Sequence, residues 1–322
     1  MVTMYSYNVR VTCDKFLEDL ELTLTPFTII VGATHRGKST LLKSLYFAVA
    51  LYTHCQPNHV FATLFPGLNS VKLSVKIDNY YVEFDGYNIV KTKGKPPWKY
   101  AVYVMPDHPL IVRMMLEAAE FVKKFKHQHA TIPMLGGLAS IIATIVDRYG
   151  RQTFLSRLAL CACDIFVQAD LDEMCKSWRR ALNNVFLGLG AEALAKVAGL
   201  RPVDMTLSDY DIYRKFVESL LMRSKNNTII LIENISYYIS LKSVQKLVKL
   251  RLDRGDNIVV VASIALPPGI ARSLETSKVS KGWITDTLQT IFEVDLNPST
   301  SSLYLFKKLE NGNKIVAERL FP

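Results

Sequence analysis

Cysteine is scarce in this 322-residue chain, which has five: Cys13, Cys55, Cys161, Cys163 and Cys175. The number is odd and no pair of CxxC motifs is present. That excludes a fully paired disulfide framework and leaves a closed zinc site without a ligand set. The five read as reduced core thiols in a reducing compartment. A basic start followed by an apolar run is also missing: "MVTMYSYNVRVTCDKF" predicts no signal peptide. The best membrane candidate is 128–146, "QHATIPMLGGLASIIATIV". It lacks formal charge but holds His129, Pro133 and a Gly136–Gly137 pair, and its strongly apolar part, Met134 to Val146, is shorter than the roughly 20 residues a span needs. A buried helix is expected there, with no membrane insertion and a cytoplasmic location. There is no internal repeat, no low-complexity tract, and no helix-turn-helix, zinc-finger or other base-reading motif.

What is present is a large apolar fraction, 49% of residues, and a formal net charge of +10. The first is enough for a substantial core. The second is compatible with nucleic acid, an anionic membrane surface or nucleotide as partner.

The order of elements is α/β. "NVRVTC" and "LELTLT" alternate as strands, and "FTIIV" at 27–31 is the continuous β-branched run of a buried parallel strand. "GKSTLLKSLYFAVALY" follows as a helix with Leu41, Leu42, Leu45 and Val49 on one side. "VKLSVKI", "YYVEF" and "YNIV", separated by DN and DG turns, predict an antiparallel meander. "KTKGKPPWKY" reads as a basic loop and "YAVYVM" as another buried strand. From about 111 to 200 the pattern is helical. After Pro202 come a helix, the strand "TIILI", a helix and the strand "NIVVVAS"; "TIFEVDL" and "SLYLFKKL" read as closing edge strands. Strand–helix alternation interrupted by a helical insert predicts three segments, 1–110, 111–203 and 204–322.

The chemistry starts at Gly32-Ala33-Thr34-His35-Arg36-Gly37-Lys38-Ser39, which fits G-x-x-x-x-G-K-[ST] between a strand and a helix. The glycines let the backbone curl so that successive N–H groups face phosphates. The helix opening at Lys38, Ser39 and Thr40 adds its positive end. Lys38 would reach the β- and γ-phosphates, and the Ser39 hydroxyl would ligate Mg²⁺. His35 admits two roles, nucleotide contact or base.

A second carboxylate-bearing strand end is needed to hold the hydrated Mg²⁺. Ile229-Ile230-Leu231-Ile232-Glu233-Asn234 supplies one: four apolar residues, then an acid. Glu233 is one methylene longer than the usual Asp. Asn234 stands where a water-polarising Glu is expected, and an amide cannot accept a proton from water.

In this order the parts resemble the ABC-type ATPases of the SMC, RecF and AAA-type ATP-binding core group. The resemblance rests on residues 9–45, 227–263 and 291–316, about half the chain. It implies a P-loop NTPase with a mixed sheet and an inserted helical subdomain, binding ATP and Mg²⁺ between two protomers as a homodimer or heteromer, and working on DNA. It also implies a signature segment at Leu207-Ser208, where Ser208 would contact the γ-phosphate of ATP held by the other subunit. There the family's glycines are replaced by Asp209 and Tyr210, and Ser208 also reads as a plain N-cap. The family's switch histidine falls on Ser263. Its Q-loop glutamine is replaced by Pro106, Asp107 or His108. Binding parts are thus kept (Gly32 to Thr40, Glu233) and hydrolysis parts altered (Asn234, Ser263). The expectation is a slow hydrolase or, alternatively, a silent nucleotide sensor; a P-loop phosphotransferase is a third reading. For nucleic acid the candidates are Lys91, Lys93, Lys95 and Lys99 around Trp98, and Lys123, Lys124 and Lys126, each also readable as solvated surface.

Overall fold

Period-two burial builds the first sheet. In β1 (Tyr7–Cys13) Tyr7, Val9, Val11 and Cys13 are buried and the residues between them are not. The same alternation runs through β4 (Leu73–Ile77) and β5 (Tyr80–Phe84). With β2 (Leu17–Leu24) and β6 (Ile89–Lys93) they form an antiparallel sheet in the order β2-β1-β4-β5-β6. Continuous burial marks the second sheet. β3 (Phe27–Gly32), β7 (Tyr100–Val104) and β8 (Thr228–Ile232) are buried throughout, and β9 (Ile258–Ala265) nearly so, as strands covered on both faces must be. With β10 (Ser301–Lys308) and β11 (Ile315–Phe321) the order is β11-β10-β3-β9-β8-β7, parallel except for the β10–β11 pair.

The computed structural model describes residues 5–14, 16–53, 57–66, 71–126, 151–235, 239–275, 281–294, 296–297, 299–309 and 314–321. The chain divides into two units. Met1–Ala50, Leu68–Val104 and Asn226–Pro322 make the first, with both sheets; Leu51–Gly67 and Met105–Lys225 make the second. In the first unit α1 (Lys38–Ala50) packs against strands of both sheets. That explains why it is buried all round from Ser44 to Ala50 instead of along one stripe. Tyr80 of β5 closes one end of it, its hydroxyl donating to the Ala48 carbonyl at 2.6 Å. A second polar stitch joins the sheets: the Tyr304 hydroxyl of β10 donates to the Thr23 carbonyl at 2.9 Å and accepts from the Thr23 N–H at 3.0 Å.

The second unit is helical throughout its described residues. It contains α2 (Pro57–Leu64), α3 (His108–Lys126), α4 (Arg151–Gln168), α5 (Trp178–Phe186), α6 (Leu189–Val197) and α7 (Asp209–Arg223), with 3-10 turns at Asp172–Cys175 and Pro202–Thr206. It is wider than the 111–203 expected from periodicity, because it also takes in 51–67, 105–110 and 204–225. The candidate span 128–146 lies outside the described residues. Among the described residues no helix is long and apolar enough to cross a membrane. Cys13, Cys161, Cys163 and Cys175 are buried thiols outside any disulfide, and Cys55 lies outside the described residues.

Three local readings are corrected. "TIFEVDL" is not a strand: its first residues end α10 (Lys281–Phe292), where packing on β11 overrides the β-branched pair Thr290-Ile291. β10 is an interior strand, flanked by β3 and β11, and β11 is the edge. Finally, Lys91 to Lys93 belong to β6, while Trp98 is fully buried with its ring 4.6 Å from that of Tyr7. Trp98 is therefore a core residue, and it offers no face to a nucleic-acid base. The remaining helices are α8 (Leu241–Asp253), which packs on β9, and α9 (Pro268–Glu275).

The Tyr304 stitch yields the first prediction. Tyr304→Phe removes two hydrogen bonds from backbone groups of Thr23 and should destabilise the fold by about 1–2 kcal/mol. Urea denaturation should show a lower midpoint with an unchanged slope.

Candidate nucleotide and metal site

Gly32 ends β3 in a conformation, φ 154°, that L side chains rarely adopt. A Cβ there would come within 2.6 Å of the Phe306 carbonyl oxygen on β10, so the sheet itself demands glycine. Gly37, at φ 72°, turns the chain into α1. Between them His35 also takes positive φ, 59°. The loop lines a cavity of about 570 Å³ with Thr34, His35, Arg36, Gly37, Lys38, Ser39 and Thr40. Asn234, Ala265, Lys308, Ile315 and Phe16 complete its wall.

Lys38 starts α1, and its side chain folds back along the loop. Its ammonium donates to the Gly32 carbonyl at 2.8 Å and the Ala33 carbonyl at 2.5 Å. Burial lowers its pKa from the ordinary 10.5 to about 8; Glu233 opposes that shift and Arg36 adds to it. Ser39, one residue on, donates its hydroxyl to Glu233, and the Tyr103 hydroxyl of β7 donates to the other oxygen of the same carboxylate. The Glu233 N–H is in turn fixed to the Val104 carbonyl at 3.0 Å. Strand pairing accounts for this convergence: β8 lies beside β7, and both end at the same edge of the sheet as β3.

The donor set suits Mg²⁺. A serine hydroxyl and a carboxylate are hard oxygen ligands. Among the described residues no cluster of three or more His, Cys, Asp or Glu could hold a metal ion. A site with so few protein ligands is the kind Mg²⁺ fills with water and substrate phosphates.

Asn234 and Ser263 meet directly: the Asn234 N–H donates to the Ser263 hydroxyl at 3.1 Å. Asn234 sits at φ 54°, a left-handed position that asparagine tolerates better than glutamate. Ser263 is buried on β9, opposite Ile30 of β3. Ser208 belongs to the other unit. It caps α7, accepting from the Asp211 N–H at 3.2 Å and donating to the Asp211 carboxylate at 2.6 Å. Asp107 and His108 are also in that unit, and both are buried. Asp107 pairs with Arg157 at 2.6 Å, and His108 Nδ1 accepts from the Met105 N–H at 2.9 Å. Burial holds the His108 pKa down to about 4, so its ring is neutral near pH 7.

Three residues at or beside the cavity carry no motif signal. Lys308 brings a third cation, beside Arg36 and Lys38, from the far end of the chain, and Phe16 an exposed ring from the β1–β2 hairpin. Tyr103, inside an unbroken apolar strand, could have been suspected only as the polar tip in "YAVYVM".

The lowered Lys38 pKa gives a signed prediction. A bound triphosphate favours the ammonium form, so binding near pH 8 should take up about half a proton. Calorimetry in buffers of different ionisation heat should show this uptake, fading towards pH 6. Lys38→Arg should remove it, because a guanidinium stays charged. Without ligand, the folded state holds fewer protons than the unfolded chain between about pH 8 and 10.5, so this group makes stability rise with pH across that window.

No protein-family model and no curated protein matches the chain. Among solved structures it is similar to an SMC head bound to the C-winged helix domain of ScpA, at 11% identity over 98% of both chains with a TM-score of 0.41. It is also similar to the recombination mediator protein RecF of the RecFOR pathway, at 12% identity over 98% of both chains with a TM-score of 0.36. An ATP-binding cassette of an ABC transporter in its ADP conformation matches at 12% identity over 93% of this chain and 87% of that one, with a TM-score of 0.28. The reading of the site rests on its own geometry.

Proposed function

We propose that this protein binds ATP with Mg²⁺ at the Gly32–Thr40 loop, hydrolyses it slowly, dimerises around it, and acts on DNA or a DNA-associated partner in a reducing, cytoplasmic compartment. One observation carries the reading: the phosphate-loop serine and the strand-end carboxylate that a nucleotide's metal requires are hydrogen-bonded to each other. Lys38 is the phosphate contact, released from the Gly32 and Ala33 carbonyls to meet a stronger acceptor. Backbone N–H groups of the loop and the N-terminus of α1 receive the remaining phosphate oxygens. Arg36 and Lys308 add positive charge, and Phe16 offers a ring for the base. When bound, Mg²⁺ neutralises phosphate charge and polarises the bridging oxygens.

Slow turnover follows from Asn234. Its amide can orient a water but cannot take the proton that the water must lose on attack. Ser208 would serve the partner's nucleotide across a dimer, in keeping with its exposed place at the start of α7. The +10 charge and the exposed Lys91, Lys93 and Lys95 favour a polyanionic partner. The side chains of Lys123, Lys124 and Lys126 lie outside the described set.

The same Asn234 also favours a second reading, a silent sensor in which ATP stabilises an assembly without being cleaved. Mg²⁺-ATP turnover and ATP affinity, measured with and without duplex and single-stranded DNA, separate the two. The enzyme reading expects turnover that Lys38→Ala abolishes and DNA raises. Tight binding with no turnover would favour the sensor. In either case Asn234→Glu should raise turnover by about 10²-fold or more, the usual worth of a positioned base. It should also cost about 1 kcal/mol or less of stability from the left-handed backbone at that position.

A further inference from the structure

Glu233 reaches one methylene farther than the aspartate expected at its position, and that extra reach has a counterpart in the fold. Tyr103 stands on the neighbouring strand, opposite Leu231 in the β7–β8 register. It is fully buried, with its ring 5.7 Å from that of Tyr46, itself fully buried on α1. A phenol packed in this way has little freedom to follow a moving partner. Its hydroxyl donates to one oxygen of Glu233 while the Ser39 hydroxyl donates to the other. With the main chain of Glu233 also fixed to Val104, the carboxylate is held from two sides and at its base.

We infer that Tyr103 is a positioning residue for the metal site. It holds Glu233 as an outer ligand and prevents the longer side chain from swinging onto the cation in place of a bound water. This rests on the nucleotide-binding reading above. Mg²⁺ loses water reluctantly and insists on octahedral geometry, so a carboxylate free to intrude would distort the shell that the phosphates and Ser39 share. Outer partners of this kind are worth roughly 10–100-fold in metal affinity.

A buried tyrosine also needs an acceptor for ordinary structural reasons. The two roles differ in what happens when the acid is shortened. An aspartate cannot reach the cation by the same swing, so the clamp should matter only beside glutamate. A purely structural hydroxyl should change stability and leave the Mg²⁺ requirement unmoved beside Glu233. The test uses the full chain as wild type, Tyr103→Phe, Glu233→Asp and the double variant. Mg²⁺ is titrated against a fixed fluorescent ATP analogue, and affinity is also measured in EDTA. Mn²⁺ in the same complexes reports the number of metal-bound waters by electron paramagnetic resonance.

The expected result is that Tyr103→Phe raises the Mg²⁺ requirement about tenfold. The affinity in EDTA should not change, and one water should be lost from bound Mn²⁺. In the Glu233→Asp background the same substitution should change the requirement by less than about twofold. An equal effect in both backgrounds, or none beside Glu233, would overturn the assignment while leaving nucleotide binding intact. A wild type that shows no Mg²⁺-dependent binding would overturn the reading beneath it as well, and that outcome is visible before any variant is compared.

Discussion

The hydrogen bond from Ser39 to Glu233 ties the first turn of α1 to the end of β8, and much of the first unit is arranged to make it possible. Ser39 is in place because β3 ends in a turn that only glycine fits against β10. Glu233 is in place because β8 runs parallel between β9 and β7. The helix carrying Ser39 is buried against both sheets, so it cannot shift without opening the core on two faces. A short polar contact at the sheet's edge is thereby backed by the packing of the whole unit.

Around this contact the electrostatics are graded. Lys38 is buried enough that its charge is costly, and the loop's own carbonyls and the field of Glu233 offset part of the cost. At Asn234 and Ser263 the contact is uncharged, a main-chain N–H on a serine hydroxyl.

The loop and the strand-end acid were legible in the sequence because their physics is local. A glycine turn, a lysine and a serine at fixed offsets act within one strand–loop–helix, and an acid ending an apolar run marks a strand end. The residues that went unread reach the site through topology. Tyr103 arrives because β7 pairs with β8, and Lys308 and Phe16 because β10 and the β1–β2 hairpin border the loop. Trp98 was misread for the converse reason: its basic neighbours suggest a surface, while its contact with Tyr7 lies far away in sequence. The strand expected at "TIFEVDL" failed in the same manner, since packing on β11 decided the outcome over local β-propensity. Alternation and burial runs did locate the sheets, because strands covered on one face or on two leave different periods.

The register of β3 with β10 has a further consequence, for the order of events during synthesis. Phe27 to Gly32 pair with Ser301 to Phe306, so the strand that leads into the phosphate loop is bordered by one made almost three hundred residues later. Pairings of such separation are slow to form, and chains generally fold as they emerge from the ribosome. The helical second unit is complete by Lys225 and can settle before β10 exists. The loop that would grip a nucleotide acquires its final wall only when the chain's end arrives. The site is therefore completed late, and a chain stopped before β10 would carry the motif without the site.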